Sequence, residues 1–182
     1  SVTRSIRAIR SFSCVDFGAA VRGACAGGER CYGLAVRLSA TGDLCMKVAF
    51  GAVDITPRLG SHKPGWLRDI VVDTVFDPIF ARVALFDDGC RPVALVQVDT
   101  LSIRWSTVDA LRRRLRERHG FPGERVLVAA THNHCGGPIA NCGEVPRDDA
   151  YLESLIGKLV DLFGELLGRL AEAELEIGRA HV

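Results

Sequence analysis

Two histidines separated by one residue, His132 and His134, are the residues of this chain best suited to metal binding or catalysis. They follow the apolar run VLVAA and precede Cys135, Gly136 and Gly137. In extended backbone, residues i and i+2 point the same way, so both imidazoles could hold one cation at about 2.0–2.1 Å each, or one could bind while the other orients it. The glycines permit a sharp turn and the close approach of a ligand. The alternative is a polar loop of hydrogen-bonded histidines; the position at a strand end favours a functional site.

Other polar residues near predicted element ends are further candidates. Asp99 follows the run VALVQV at the same edge, either as a carboxylate that supports the site or contacts substrate, or as the cap of a strand. Cys135 is either a small packing residue or a thiolate ligand beside His134. Asp54, in the stretch DITP, is interpreted as a turn-former that hydrogen-bonds its own backbone. His119 fits a partner for the negative end of an arginine-rich helix.

Four strands are predicted to position these residues. The first three are KVAFGAVDI, which ends before Pro57 because proline has no N–H to donate, then IFARVALFDDG, then RPVALVQVDTLSI. The turn Asp87-Asp88-Gly89 predicts that the second and third pair as a hairpin. The nearly continuous apolar run of the third suits a strand buried on both faces. The fourth, ERVLVAA, leads directly to His132.

Two helices are predicted between and after the last two strands. Ser106 is placed to cap the first, with Asp109 three residues on as a capping box, and Gly120 ends it. The second begins at Asp148 or Asp149 and carries an apolar stripe at spacings of three and four centred on Leu159, with Leu152, Leu155, Ile156, Val160, Leu162, Phe163, Leu166, Leu167 and Leu170. The order strand, helix, strand, helix after residue 92 predicts an α/β fold, with a mixed, partly parallel sheet, flanking helices and an incomplete domain.

Composition excludes several classes of function. The 182 residues carry a net charge of +1, so bulk charge indicates neither a nucleic-acid partner nor a membrane surface. The sequence contains no run of about 18 apolar residues, so no transmembrane helix is predicted. The arginine-rich stretch 112–118 is interpreted as a solvated helix face. Seven irregularly spaced cysteines do not predict a disulfide framework, which favours a reduced, cytoplasmic protein.

The two ends of the chain differ from its body. Residues 1–45 are rich in arginine and lack sustained periodicity. We expect a non-native or disordered leader there, either a targeting segment or sequence translated upstream of Met46, the single methionine. Residues 46–176 are expected to form the α/β domain. The final residues 177–182, IGRAHV, resemble the translation of a sequencing adapter, and we expect an artefactual tail on a truncated gene.

Four stretches together resemble a known family. These stretches are MKVAFGAVDITPRLG, DPIFARVALFDDG, ALVQVDTLSI and ERVLVAATHNHCGGP, in this order. They resemble the N-terminal domain of the neutral/alkaline non-lysosomal ceramidases over about residues 47–175. The resemblance implies a truncated bacterial relative of zinc amidases of sphingolipid metabolism, in which metal-bound water attacks the N-acyl amide of a sphingoid base. It therefore implies zinc as cofactor and a lipid or small-molecule amide as substrate.

The resemblance also implies roles for individual residues. The family motif THTHSG matches residues 131–136, so His134 is the expected metal ligand and His132 its neighbour in the site. The positions expected to contact substrate or support the ligand are Asn133, Cys135 and Gly136, with Asp99 and His62. His62 lies in the loop GSHKPGW, where the family lines its cleft, but the residue pattern favours the alternative of a solvent-exposed histidine.

One family ligand is missing from this sequence. Phe76 stands where the family has a histidine ahead of its arginine-containing strand. The later family ligands, a Glu and a Tyr, and the active-site serine lie beyond this chain, so its catalytic residues are unassigned. Since a zinc site normally needs three protein ligands, we expect this chain alone to bind zinc weakly and to hydrolyse no ceramide.

Other functions stay open on the sequence. His-x-His also begins the sites of amidohydrolase barrels, which need it on the first strand. It begins metallo-β-lactamase sites too, but those need Asp-His two residues further on, where glycine and proline stand here. A family member that has lost one ligand could also bind without catalysing a reaction.

Overall fold

The computed structural model describes residues 32–37 and 46–179, with side chains described for residues 46–173. In chain order, the elements are strands β1 (Tyr32–Arg37), β2 (Met46–Asp54), β3 (Phe80–Asp87) and β4 (Val93–Val98), helix α1 (Trp105–His119), a 3-10 turn (Gly123–Arg125), strand β5 (Val126–Ala130), helix α2 (Asp149–Leu167) and strand β6 (Ala171–Arg179).

Strands β2 to β5 form a mixed sheet in the order β2-β3-β4-β5. Strands β2 and β3 pair antiparallel, as do β3 and β4. Strands β4 and β5 pair parallel, with Val98 opposite Ala130, and α1 makes the crossover between them. The predicted α/β fold with a partly parallel sheet is therefore confirmed.

The hairpin between β3 and β4 was predicted from its turn residues and is confirmed. The backbone N–H of Gly89 donates to the Asp87 carboxylate at 2.8 Å, and that of Cys90 donates to Asp88 at 2.9 Å. Gly89 has a φ of 82°, a conformation that costs glycine nothing. Short acidic side chains thus close the turn locally.

Helix α1 begins earlier than the sequence predicted. The N-cap is Arg104, which has no side-chain capping bond, and Ser106 lies inside the first turn. The predicted capping box of Ser106 and Asp109 is therefore wrong. The early start places Trp105 two helical turns before Arg112, whose guanidinium stacks 5.1 Å above the indole ring, and this cation–π contact helps to stabilise the first turn. Gly120 ends the helix in the left-handed conformation, with a φ of 65°, as predicted.

Helix α2 provides most of the helical contribution to the core. The side chain of Asp148 accepts a hydrogen bond from the backbone N–H of Tyr151 at 2.9 Å, so the helix starts where the sequence predicted. Its buried stripe consists of Leu155, Ile156, Leu159, Val160, Leu162, Phe163 and Leu166. These residues pack in one cluster with the buried face of the sheet and with α1.

The segments outside the central domain are described in part. Residues Met46–Glu172 form one compact unit. Within residues 1–45, only β1 is described, and it pairs antiparallel with β6. Strand β6 continues to Arg179, three residues into the segment expected to be an artefactual tail. The rest of the leader and residues 180–182 lie outside the described residues, so both expectations stay predictions. Along the described part of the chain, no helix has the length and apolarity needed to cross a membrane.

Candidate functional site at the carboxyl ends of strands β4 and β5

The loop after β5 continues the backbone pairing of the two parallel strands. The N–H of Thr131 donates to the carbonyl of Val98 at 3.1 Å, and the N–H of Asn133 donates to Thr100 at 3.0 Å. Because parallel strands end at the same edge, these bonds hold the histidine loop against the segment that follows β4. His132 lies between the two anchored residues.

His132 adopts an unusual backbone conformation. Its φ is 62°, and it is the one non-glycine residue with positive φ among those that the structure describes. The prediction that extended backbone places His132 and His134 on the same side is therefore wrong, because the backbone is not extended at His132. The rings nevertheless come together, with centroids 5.1 Å apart and planes at 85°. The left-handed residue turns the chain, so proximity arises from a bend and not from strand periodicity.

His134 is half-buried and contacts a second loop. The indole N–H of Trp66 donates to the backbone carbonyl of His134 at 3.2 Å. The Trp66 and His134 rings meet edge to face, with centroids 6.0 Å apart. Gly65 lies against the same imidazole. Sequence reasoning missed Gly65 and Trp66, although the stretch PGW in the loop containing His62 was a visible signal of an aromatic residue on a tight turn.

Asp99 is held by three hydrogen bonds within the fold. Its carboxylate accepts from the backbone N–H of Phe80 at 3.0 Å, from Arg82 at 3.0 Å and from the Thr131 hydroxyl at 3.2 Å. The side chains of Arg82 and Asp99 are only 15% and 13% exposed. Asp99 therefore ties the start of β3 to the end of β5, and it fixes the residue that precedes His132.

The residues after His134 form a tightly packed turn. The N–H of Cys135 donates to the Asn133 side chain at 2.6 Å, and the Cys135 side chain is exposed. A Cβ atom on Gly136 would lie 2.7 Å from the carbonyl oxygen of Asp99, and one on Gly137 would lie 2.5 Å from the Tyr151 ring. Both glycines are therefore needed for close backbone packing, which brings the loop onto β4 and α2.

The remaining candidates have partners of their own. His62 pairs with Asp69 at 2.6 Å, and both side chains are about half exposed. Asp54 accepts from the N–H of Thr56 at 2.7 Å, so its prediction as a turn-former is confirmed, and hydrogen bonds from Thr56 lower the pKa of Asp54. His119 contacts the Val160 carbonyl of α2 at 2.8 Å, which makes it a bridge between helices as well as a residue of the last turn of α1.

The described residues do not fit a complete zinc site. Zinc in catalytic sites takes three protein ligands. Within the described part of the chain, no group of three or more His, Cys, Asp and Glu side chains could hold a metal ion. His132 and His134 supply two nitrogen donors. A separate cavity of about 290 Å³ is lined by Arg104, Ser106, Ile139, Ala140, Asn141 and Arg147, none of which was predicted as a site residue.

Comparison with known proteins supports the fold. No family model and no curated protein matches the chain. The chain is similar to the crystal structure of neutral ceramidase from Pseudomonas aeruginosa, with 19% sequence identity and a TM-score of 0.59, over 70% of this chain and 22% of that one. A structure of ceramidase complexed with C2 matches at 18% identity and a TM-score of 0.59, again over 70% and 22%. The similarity shows a shared fold, and this chain spans about a fifth of the length of those proteins.

Proposed function

We propose that this chain is part of a ceramidase-like hydrolase that cleaves the amide bond of an N-acyl lipid. The observation that carries the proposal is the pair of perpendicular imidazoles, His132 and His134, at the carboxyl edge of the parallel strands β4 and β5. In open α/β sheets, ligands bind outside the carboxyl ends of the strands. The motif THNHCGG and the fold shared with neutral ceramidase are the reasons for proposing amide hydrolysis at this edge.

His132 is proposed to act through its Nε2 atom. Its Nδ1 atom lies 2.9 Å from the carbonyl oxygen of Leu101. Because a carbonyl oxygen only accepts, Nδ1 must carry the proton in this hydrogen bond. In the neutral ring, Nε2 then has the free lone pair, which can accept a proton or bind a cation. A hydrogen bond from the other ring nitrogen to a backbone carbonyl is a common means of orienting a functional imidazole.

Zinc is the proposed cofactor, and when bound it would supply an activated water for attack on an amide carbonyl. The two imidazoles are one donor short of the usual three. Phe76, at the position where the resemblance implies a histidine, has no lone pair to offer, and its side chain is 92% exposed. Further ligands would have to come from outside the described residues, so weak zinc binding is expected of this chain alone.

Release of fatty acid from a short-chain fluorescent ceramide tests the proposal. The assay compares this chain with the longest protein that its gene encodes. We expect hydrolysis by the longer protein, loss of activity with a chelator, and no hydrolysis by this chain alone. In the longer protein, His134→Ala should lower the rate more than about 100-fold, the upper effect of residues that only support a ligand. The control His119→Gln, which keeps a donor toward Val160, should retain activity.

Two outcomes would contradict the proposed function. One is a longer protein that releases no fatty acid from any N-acyl amide, which would favour a non-catalytic binding protein. The other is a His134→Ala variant as active as its parent. Zinc titration of this chain by calorimetry is a separate check: affinity should fall well short of the roughly 10–16 kcal/mol of structural zinc sites and should drop further in His134→Ala.

A further inference from the structure

A hairpin-like loop between β2 and β3 reaches the imidazole of His134. Its two arms are joined by backbone hydrogen bonds from Gly60 to Val72 at 2.7 Å, from Val72 to Ser61 at 2.8 Å and from Lys63 to Ile70 at 2.7 Å. The tip of this loop carries Gly65 and Trp66. The loop thus has its own backbone ladder, which makes it able to hold the tip in one place.

Gly65 fits this position for two separate reasons. Its φ is 87°, a conformation that side chains of L-residues rarely adopt. A Cβ atom at this position would also lie 2.6 Å from Nδ1 and 2.7 Å from Cε1 of His134, and 3.0 Å from the Leu101 side chain. Any side chain at residue 65 would therefore have to displace the His134 ring, because contacts this short are not tolerated.

Trp66 contacts the same histidine at two points. The indole N–H donates to the His134 carbonyl at 3.2 Å, which fixes the backbone. The indole ring meets the imidazole edge to face at 6.0 Å, within the range of favourable aromatic pairs. His132 makes a second perpendicular contact with the His134 ring at 5.1 Å. Backbone and ring of His134 are therefore each restrained by a residue distant in sequence.

We propose that Gly65 and Trp66 are positioning residues that fix the orientation of the His134 imidazole for the reaction. The inference rests on the proposed function of His134. Gly65 provides the space in which the ring sits, and Trp66 restrains the carbonyl and one edge of that ring. Functional side chains need this kind of support, because a small error in orientation lowers the rate strongly. Neither residue needs to touch the reacting atoms.

Hydrogen exchange of the two indole N–H groups, followed by NMR on the 15N-labelled chain, tests the Trp66 contact. The sequence has two tryptophans, and Trp105→Phe assigns their signals. The Trp66 indole proton should exchange more slowly than that of Trp105 and should show nuclear Overhauser contacts to His134. Equal exchange rates with no such contact would overturn the proposal.

Matched variants test whether the hairpin tip orients His134. Gly60 has a φ of 83° and no atom within 4 Å of an added Cβ, so Gly60→Ala introduces the same backbone strain without the steric clash. At fixed pH, Gly65→Ala and Trp66→Phe should shift the His134 ring resonances, while Gly60→Ala and Trp105→Phe should leave them unchanged. The proposal is overturned if Gly60→Ala matches Gly65→Ala, or if Trp66→Phe leaves the ring resonances in place.

Activity provides the second readout. In the longer, active protein, Gly65→Ala should lower kcat about 10–100-fold with little change in KM, and Gly60→Ala should lower it less than twofold. Failure of the proposed function is distinguishable, because the NMR shifts do not require a reaction. A shifted His134 ring with unchanged kcat would show that the contact exists and would overturn its role in positioning for the reaction.

Discussion

His132 combines backbone strain with a fixed ring. A non-glycine residue in the left-handed region costs about 1–2 kcal/mol, and such strain persists when surrounding contacts determine the conformation. Here the anchored neighbours Thr131 and Asn133 and the hydrogen bond to Leu101 impose it. The result is a bend in the backbone at His132, and this bend brings the His132 ring beside the His134 ring.

Replacing His132 by Val should therefore destabilise the fold by about 1–2 kcal/mol more than replacing it by Asn. A β-branched residue is a severe outlier at positive φ, whereas Asn tolerates this region. At Leu127, which is exposed in β5, the same two substitutions should rank in the opposite order because strands favour Val. Urea denaturation of the four variants measures the difference, and equal stability of the two His132 variants would argue against the left-handed backbone.

Asp99 should matter more to stability than its position near the surface edge implies. Asp99→Asn removes the carboxylate that faces Arg82 at 3.0 Å, and loss of one partner from a buried pair costs about 3–5 kcal/mol. The exposed pair Arg118–Asp161 is the matched comparison, with side chains 60% and 59% exposed. Asp161→Asn should cost less than about 1 kcal/mol. Similar losses in the two variants, measured by urea denaturation, would mean that Asp99 is not a structural anchor.

Helix α2 is the element on which the core depends most. Leu159 is 2% exposed and lies in the middle of the buried stripe. Leu159→Asp should prevent folding or cause aggregation, because an unpaired buried carboxylate costs several kcal/mol and a domain has only about 5–15 kcal/mol of stability. Ser154→Asp, which adds the same charge on the exposed face of α2, should leave the melting temperature nearly unchanged. An unaltered melting temperature in Leu159→Asp would show that the stripe is not core.

The elements that periodicity defines were predictable, and the contacts that tertiary structure defines were not. Strands β2 to β5, the hairpin at Gly89 and the stripe of α2 follow from local patterns. The start of α1 does not, because the contact between Trp105 and Arg112 favours an earlier turn than the capping signal at Ser106 indicates. At the candidate site, the histidines were visible in the sequence. The hydrogen bond of Trp66 to His134 joins residues 68 positions apart, Gly65 contacts the same ring, and no local pattern encodes either contact.

In the Met46–Glu172 unit, one face of the sheet packs against the two helices and the other face is partly exposed. Gly51 lies on the covered face, where an added Cβ would approach the Leu162 side chain to 2.9 Å. Phe50, Val93 and Leu127 lie on the other face and are exposed. The two helices therefore stabilise the sheet from one side, and the prediction that β4 is buried on both faces holds only in part, since Val93 is exposed. The histidine loop lies at the edge of the two layers formed by the sheet and the helices packed on it.

Tyr151 joins the two layers at that edge. Its hydroxyl donates to the carbonyl of Ile55, just beyond β2, and its ring packs against Gly137 in the histidine loop. Burial raises the pKa of Tyr151 from 10.0 to about 12, and nearby carboxylates, among them Asp54, contribute to the increase. The neutral phenol is thus the form that the folded protein stabilises.

Stability should consequently fall as the pH rises from about 10 to about 12. In this window the unfolded chain ionises Tyr151 before the folded chain does, so unfolding releases a proton and becomes easier with increasing pH. The contribution is fully present below pH 10, and its loss amounts to about 2–3 kcal/mol, since each pKa unit corresponds to about 1.4 kcal/mol. Tyr151→Phe should be less stable at neutral pH by about 1 kcal/mol and should lack this part of the alkaline decrease. Urea denaturation of parent and variant across the window measures the difference.

In a Tyr32→Phe background, which leaves Tyr151 as the single tyrosine, tyrosinate absorbance of the native chain should appear with a midpoint near 12. A midpoint near 10, with equal alkaline curves for parent and Tyr151→Phe, would mean that the phenol is not buried between helix and loop.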